Sequence, residues 1–282
     1  MFGLPYTTFP HIQIGPVRLQ VFGLCVAVGV IVGTLVANWY GRPRGLPRDE
    51  VLRLAPWLVL AGIAGARLTY VITNVDELDS IWEAFAIWRG GLQFTGGAIV
   101  ATLVALPLLR RLEPIQRWHF ADAVALGLTI GQAIGRIGCV AVGEHFGGPT
   151  SPPFGLTWRG GSAVEPAPPV GTVIHQTAAY ESLHLLVLFV AMLVVLRRRS
   201  LAPGVLIGVF SVWYGVLRFL TDFLRVNDRE LFGLTGAQYG CLLLIGVGVW
   251  ILATTRARVE RLGAGAAPAT ETATADSPAT AE

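Results

Sequence analysis

The sequence predicts an all-α polytopic membrane protein of seven transmembrane helices carrying a small extracytoplasmic cap. Three observations predict it. Charged residues are 14% of the 282-residue chain while hydrophobic residues are 53%, with mean hydropathy +0.60; a soluble domain carries about 25% charge. Apolar stretches recur, each long enough, at roughly 20 residues, to cross about 30 Å of hydrocarbon. The 21 basic residues are all arginine, and they gather in alternate connections between those stretches.

The first stretch spans residues 19–39. The segment before it, MFGLPYTTFPHIQIGPVRLQ, has neither a basic n-region nor a small-residue cleavage site, so this helix is expected to stay in the membrane. The second and third spans are 51–73 and 91–110. The fourth, 119–143, carries Gly127, Gly131, Gly135 and Gly138, a small-residue stripe that lets helices approach closely. Asp122 and His119 sit at its cytoplasmic end, where a helix-start role is expected. The fifth, sixth and seventh spans are 176–196, 203–224 and 236–254. Trp39, Trp82, Trp88, Trp118 and Trp250 fall near span ends and read as interfacial aromatics.

Arginines 42, 44, 48 and 53, then 110, 111 and 117, then 197–199, and finally 256, 258 and 261 mark the cytoplasmic side. The amino terminus is therefore expected outside and the carboxyl terminus inside. The other side carries Asp76, Glu77, Asp79, Glu83, Arg89, Glu144, Arg159, Glu165, Asp228 and Glu230, a mixed and mostly acidic set. Residues 144–175 form the largest external connection and are too rich in Gly and Pro for long regular elements. Residues 1–262 thus form one membrane domain capped by 144–175, and 263–282 read as a disordered cytoplasmic tail. Cys25, Cys139 and Cys241 lie in apolar stretches without pair spacing, which points to neither a metal site nor a disulfide framework. Net charge is only +3 and no basic patch suits nucleic acid.

Arg67, Arg136 and Arg218 lie inside spans, where a charge is expensive. Each sits six or seven residues from the outer end of its span, roughly 10 Å below it at 1.5 Å per residue. Thr95 and Glu181 fall at about that level, His184 one turn deeper, and Asp222 four residues after Arg218, where it can pair with it. Structural ion pairs and snorkelling account for single arginines. Three at one depth suit bidentate recognition of a lipid headgroup phosphate.

Five strings carry a family resemblance. GRIGCVAVGE (135–144) is similar to the signature of the prolipoprotein diacylglyceryl transferases, Gly-Arg-(Ile/Leu)-Gly-Asn followed by Gly-Glu. IGPVRLQVFG (14–23), WRGGLQFTGG (88–97), VIHQTAAYE (173–181) and YGVLRFLTDFLR (214–225) resemble that family's other conserved segments, in order, over about residues 14–255. The resemblance implies a bacterial inner-membrane enzyme, its active site facing the outer leaflet, that moves diacylglyceryl from phosphatidylglycerol to the lipobox cysteine of a prolipoprotein signal peptide. Its surroundings are membrane lipids, and no metal or soluble cofactor is implied.

Carried over position by position, the resemblance makes Arg218, Glu144 and Asp222 catalytic, with Asp222 standing where the family has Glu. Arg136, Thr95, Cys139, Tyr180 and Glu181 bind phosphatidylglycerol, Arg136 as the phosphate clamp. Departures are Thr95 for the family's His, Cys139 for Asn, Phe22 for Tyr, Gln176 for Pro and Val142 for Asn. A hydroxyl does not accept a proton near neutral pH, so Thr95 cannot act as that His would. His145 is a candidate replacement, and His175 suits a structural role where the fifth span begins. The altered positions keep a second reading open, a homologue that binds phosphatidylglycerol or lipoprotein precursors without transfer. A transporter or seven-helix receptor is a third, against which stand the absence of any Lys for a retinal Schiff base and of inverted half-repeats.

Overall fold

The protein is described from a computed structural model over residues 4–75, 80–86, 91–151, 155–161, 168–226 and 230–264. Trp88, Arg89, Asp76, Glu77, Asp79, Glu165, Asp228 and the tail beyond residue 264 lie outside the described residues.

Short strands open the chain: β1 (Leu4–Tyr6) and the hairpin β2 (His11–Ile14) and β3 (Val17–Gln20). Helices α1 (Val21–Gly41), α2 (Glu50–Thr73), α3 (Phe94–Leu109) and α4 (Pro114–Val142) follow. Next come β4 (Phe146–Pro149), β5 (Leu156–Trp158) and β6 (Val173–Gln176), and after them α5 (Thr177–Arg198) and α6 (Val205–Asp222). The hairpin β7 (Glu230–Leu231) and β8 (Leu234–Thr235), α7 (Gly236–Ala253) and α8 (Thr255–Ala264) complete it. Among the described residues six helices, α1, α2, α4, α5, α6 and α7, are long and apolar enough to cross a membrane; α3 is apolar but has 16 residues. Leu24, Ile31, Leu35, Val190 and Leu243 stand exposed on them, as a lipid-facing surface requires.

Helix α4 is central and packs on α1, α5 and α6, while α2 pairs with α3 and α6 with α7. The expected glycine stripe meets α1. A Cβ on Gly29 would lie 2.5 Å from the Gly131 carbonyl oxygen, and one on Gly33 2.6 Å from that of Gly127, so the two backbones touch. Gly135 takes no part: a Cβ there would meet nothing within 4 Å. The core joins α4 to its neighbours through Leu126, Ala133, Leu185, Leu188, Leu206 and Phe210.

The two ends of the bundle are built differently. At the arginine-rich end α4 begins with Pro114 and a reciprocal Glu113–Gln116 capping box. Asp122 was expected to serve that helix start. Instead it is fully buried and caps α6, accepting from the amides of Gly204 at 2.7 Å and Ile207 at 2.9 Å. The other end carries strands, where the cap was expected to lack long elements, and each strand there is two to four residues long. One sheet runs β1-β5-β6-β4, parallel between β1 and β5 and otherwise antiparallel. It closes on Tyr6, Phe146, Trp158 and Ile174. The Tyr6 hydroxyl donates to the Val140 carbonyl at 2.5 Å and accepts from Gln176 Nε2 at 2.9 Å, and burial pushes the phenol up to about 12. Gln176, in place of the expected Pro, also caps α5 by accepting from the Ala178 amide.

Candidate functional site: two arginines on one buried carboxylate

The site lies where α4, α5 and α6 meet, just inside the strand end. Glu181, in the second turn of α5, is fully buried. Its Oε2 is 2.8 Å from Arg136 Nε of α4, and its Oε1 is 3.6 Å from Arg218 Nε of α6. Neither oxygen accepts an aligned hydrogen bond, so the carboxylate holds both guanidinium groups as an ion pair alone. Arg136 also hydrogen-bonds the Tyr214 phenol and reaches Cys139 Sγ at 3.9 Å. Arg218 donates to Asp222 one turn along, as the four-residue spacing predicted.

Asp222 is the second anchor. Besides Arg218 it accepts from the Thr235 hydroxyl and lies 3.6 Å from Arg225. Thr235 at the same time caps α7 in a box with Gln238, whose Oε1 accepts from the Thr235 amide at 2.9 Å. Thr235 and Arg225 were not among the expected site residues. The Thr-x-x-Gln spacing before an apolar run marks the cap in the sequence, but not its bond to Asp222.

Glu144 stands at the strand-end mouth of the site. Gly143 ends α4 in the left-handed conformation (φ 77°) and turns Glu144 back toward Arg136 and Arg225. Burial raises its carboxyl above the ordinary carboxylate range, and the two guanidinium groups oppose that shift. Arg225 is brought there by the chain after α6: Gly148 N donates to the Leu224 carbonyl at 2.9 Å, and a Cβ on Gly147 would lie 2.6 Å from that same oxygen. His145, also left-handed (φ 64°), has Nδ1 3.9 Å from Glu144 Oε2. Cys139, Glu144 and His145 each offer one metal-ligand atom within 4.8 Å of the others. The guanidinium groups beside Glu144 already supply positive charge there and oppose a dication.

The remaining expected residues scatter. Tyr180 is bonded through its hydroxyl to His175 Nδ1 at 3.0 Å, at the start of α5. Thr95 is exposed in the first turn of α3, where its Cγ2 lies 3.8 Å from a Cβ built on Gly240. Arg67 takes a structural part: it donates to the carbonyls of Glu83, Ala84 (2.9 Å) and Gly91 (3.1 Å) and so ties α2 to the segments before α3. His184, one turn beyond Glu181, packs against Tyr214 at 6.4 Å between ring centroids.

Residues 10–254 match the family model described as prolipoprotein diacylglyceryl transferase. The chain is 34% identical to a phosphatidylglycerol–prolipoprotein diacylglyceryl transferase of Thermosynechococcus vestitus over 85% of its length and 89% of the relative's. It is 30% identical to proteins of the same description from Mycobacteroides abscessus, covering 91% and 80% of the two chains, and Streptococcus pneumoniae, covering 86% and 91%.

Proposed function

Since this chain belongs to the prolipoprotein diacylglyceryl transferase family and moves diacylglyceryl from phosphatidylglycerol to a prolipoprotein, we propose that Arg136 and Arg218 hold the lipid's phosphate while the prolipoprotein thiol displaces it. The observation that carries this reading is the pair of guanidinium groups turned toward one buried carboxylate. A buried ion pair gains little over apolar packing, so stability alone gives no reason to keep two arginines there. Bidentate donors for a phosphate do.

Charge counting assigns the other groups. Among the described residues Arg136, Arg218 and Arg225 balance Glu181, Asp222 and Glu144, so a phosphate monoanion would leave this cluster one charge negative unless a carboxyl takes a proton. Glu144, half-buried at the mouth, is the carboxyl placed to take it, since burial raises its pKa. Protonated, it can donate to the headgroup or to the leaving glycerol phosphate. Asp222 sets the Arg218 guanidinium, and Glu181 sets both arginines. Cys139 lines the wall beside Arg136, and Tyr180 steadies the start of α5.

All seven apolar helices cross the bacterial inner membrane in this reading, with the strand end outside and the arginine-rich end in the cytoplasm. The site then faces the outer leaflet, residues 144–175 cover it, and the lipobox cysteine arrives laterally with its signal peptide. The alternative of binding without transfer drew on Thr95, Cys139 and Phe22; the naming of the relatives as transferases favours transfer.

The test is transfer of labelled diacylglyceryl from phosphatidylglycerol to a lipobox peptide by purified protein, beside Arg136→Ala. Transfer that vanishes in the variant is expected; full activity in Arg136→Ala would remove the phosphate assignment.

A further inference from the structure

A thiol that displaces a phosphate must lose a proton, and none of the groups holding the phosphate is suited to take it. Arg136 and Arg218 are permanent cations, and Glu181 and Asp222 are committed to them. Geometry says where the acceptor must stand. Displacement at carbon is in line, with sulfur entering opposite the departing oxygen. With the phosphate at the arginines and the acyl chains in hydrocarbon, the glyceryl carbon lies on the membrane-interior side of the phosphate. Sulfur therefore attacks from deeper still, and the base must lie further from the strand end than Glu181.

His184 occupies that position. It follows Glu181 by three residues on α5, about 4.5 Å deeper at 1.5 Å per residue. Its ring rests against Tyr214, which lies one turn deeper than Arg218 on α6 and hydrogen-bonds Arg136. Both ring nitrogens are sealed from the surface, and neither has a hydrogen-bond partner beyond the residue's own backbone. A buried polar group is ordinarily paired, so two open imidazole nitrogens beside the two arginines ask for a partner that the free protein does not supply. The charged groups facing the ring are Arg136 from α4 and Arg218 from α6, with Glu181 earlier on its own helix. The other four imidazoles are placed elsewhere: His11 contacts Arg18, His175 contacts Tyr180, His145 stands at the outer mouth and His119 at the opposite end of α4.

We propose that His184 is the proton acceptor for the incoming prolipoprotein thiol, an inference that rests on the phosphate site at Arg136 and Arg218. The S–H proton passes to a ring nitrogen as the sulfur–carbon bond forms. The carbon–oxygen bond to phosphate breaks, and its electron pair leaves with glycerol phosphate. The imidazolium then gives up its proton to that phosphate, restoring the neutral ring, so the cycle consumes no other reagent.

The experiment is single-turnover transfer in nanodiscs containing phosphatidylglycerol, using a lipobox peptide with cysteine and the same peptide with selenocysteine, whose selenol is already ionised at neutral pH. His184→Asn should slow the cysteine peptide by about 100-fold or more yet leave the selenocysteine peptide within about threefold of the unsubstituted protein. In that variant the cysteine rate should also climb with pH as thiolate forms in solution. Arg136→Ala should slow both peptides. Equal slowing of the two peptides by His184→Asn, or cysteine transfer within about threefold of normal, would overturn the assignment while leaving the phosphate site intact. Unimpaired transfer of both peptides by Arg136→Ala would instead remove the phosphate site and this inference with it.

Discussion

Arg67 and Arg136 pose the same sequence puzzle, an arginine several residues inside a membrane helix, and the structure resolves them in opposite ways. On the α2–α3 side, Arg67 directs its donors to the carbonyls of Glu83, Ala84 and Gly91, and of these Glu83 also accepts from the Ala86 amide. On the α4–α6 side, Arg136 and Arg218 converge on Glu181 with hydrogen-bonding capacity left unspent on the carboxylate. One arginine secures a fold, and the other two are the proposed phosphate clamp. Depth in the membrane does not separate a structural charge from a binding one; what the charge touches does.

That contrast is most directly broken by exchanging the consequences. Arg136→Gln should cut transfer by roughly 100- to 1000-fold while moving the thermal midpoint by only a few degrees. Arg67→Met should do the reverse, destabilising by about 3 kcal/mol through unpaired carbonyls and lowering the midpoint by about 10 °C, with turnover per folded molecule unchanged. Comparable activity losses in both would erase the distinction.

Asp122 extends the comparison to buried carboxylates, since it spends itself on backbone amides of α6 whereas Glu181 spends itself on side chains. Asp122→Asn should therefore cost about 1–2 kcal/mol in unfolding experiments and leave phosphatidylglycerol binding alone. A binding defect would place both ends of the bundle in one functional unit.

The pH response sharpens the picture at the mouth. Because the folded protein raises the Glu144 carboxyl, it holds that proton more tightly than the unfolded chain. This contribution to stability is full below the ordinary carboxylate value of about 4.3 and is lost as pH rises through the raised one. Glu144→Gln should flatten that segment of the stability–pH curve, and an unaltered curve would place the titration elsewhere. The smallest effect belongs to Thr95→His, which should change transfer by less than about threefold, against the roughly 100-fold a proton acceptor supplies.

Much of this was readable from residues alone. Hydropathy marked the six helices that, among the described residues, are long and apolar enough to cross a membrane, and the four-residue spacing of Arg218 and Asp222 foretold their pairing. The stripe on α4 announced a close helix contact, although nothing in it named α1 as the partner or exempted Gly135. The scatter of Thr95 and Tyr180 was not readable, because counting residues from a helix end gives a depth but no azimuth. Thr95 and Glu181 share a level, yet one belongs to α3 beside Gly240 and the other to the bundle's centre. Asp122 escaped for a related reason: a capping residue was sought for its own helix, and it caps one more than eighty positions away.

By itself the sequence determined the solvent, the helices, their expected direction across the membrane and the family, since each follows from residue type and order along one dimension. Only the tertiary structure decided that Arg67 is a fastener, that Glu181 joins Arg136 to Arg218, that Thr235 and Arg225 complete the Asp222 anchor, and that His184 lies open beneath them. Those are statements about which faces of separate helices turn toward each other, and ion pairs act over a few ångströms of space, whatever their separation along the chain.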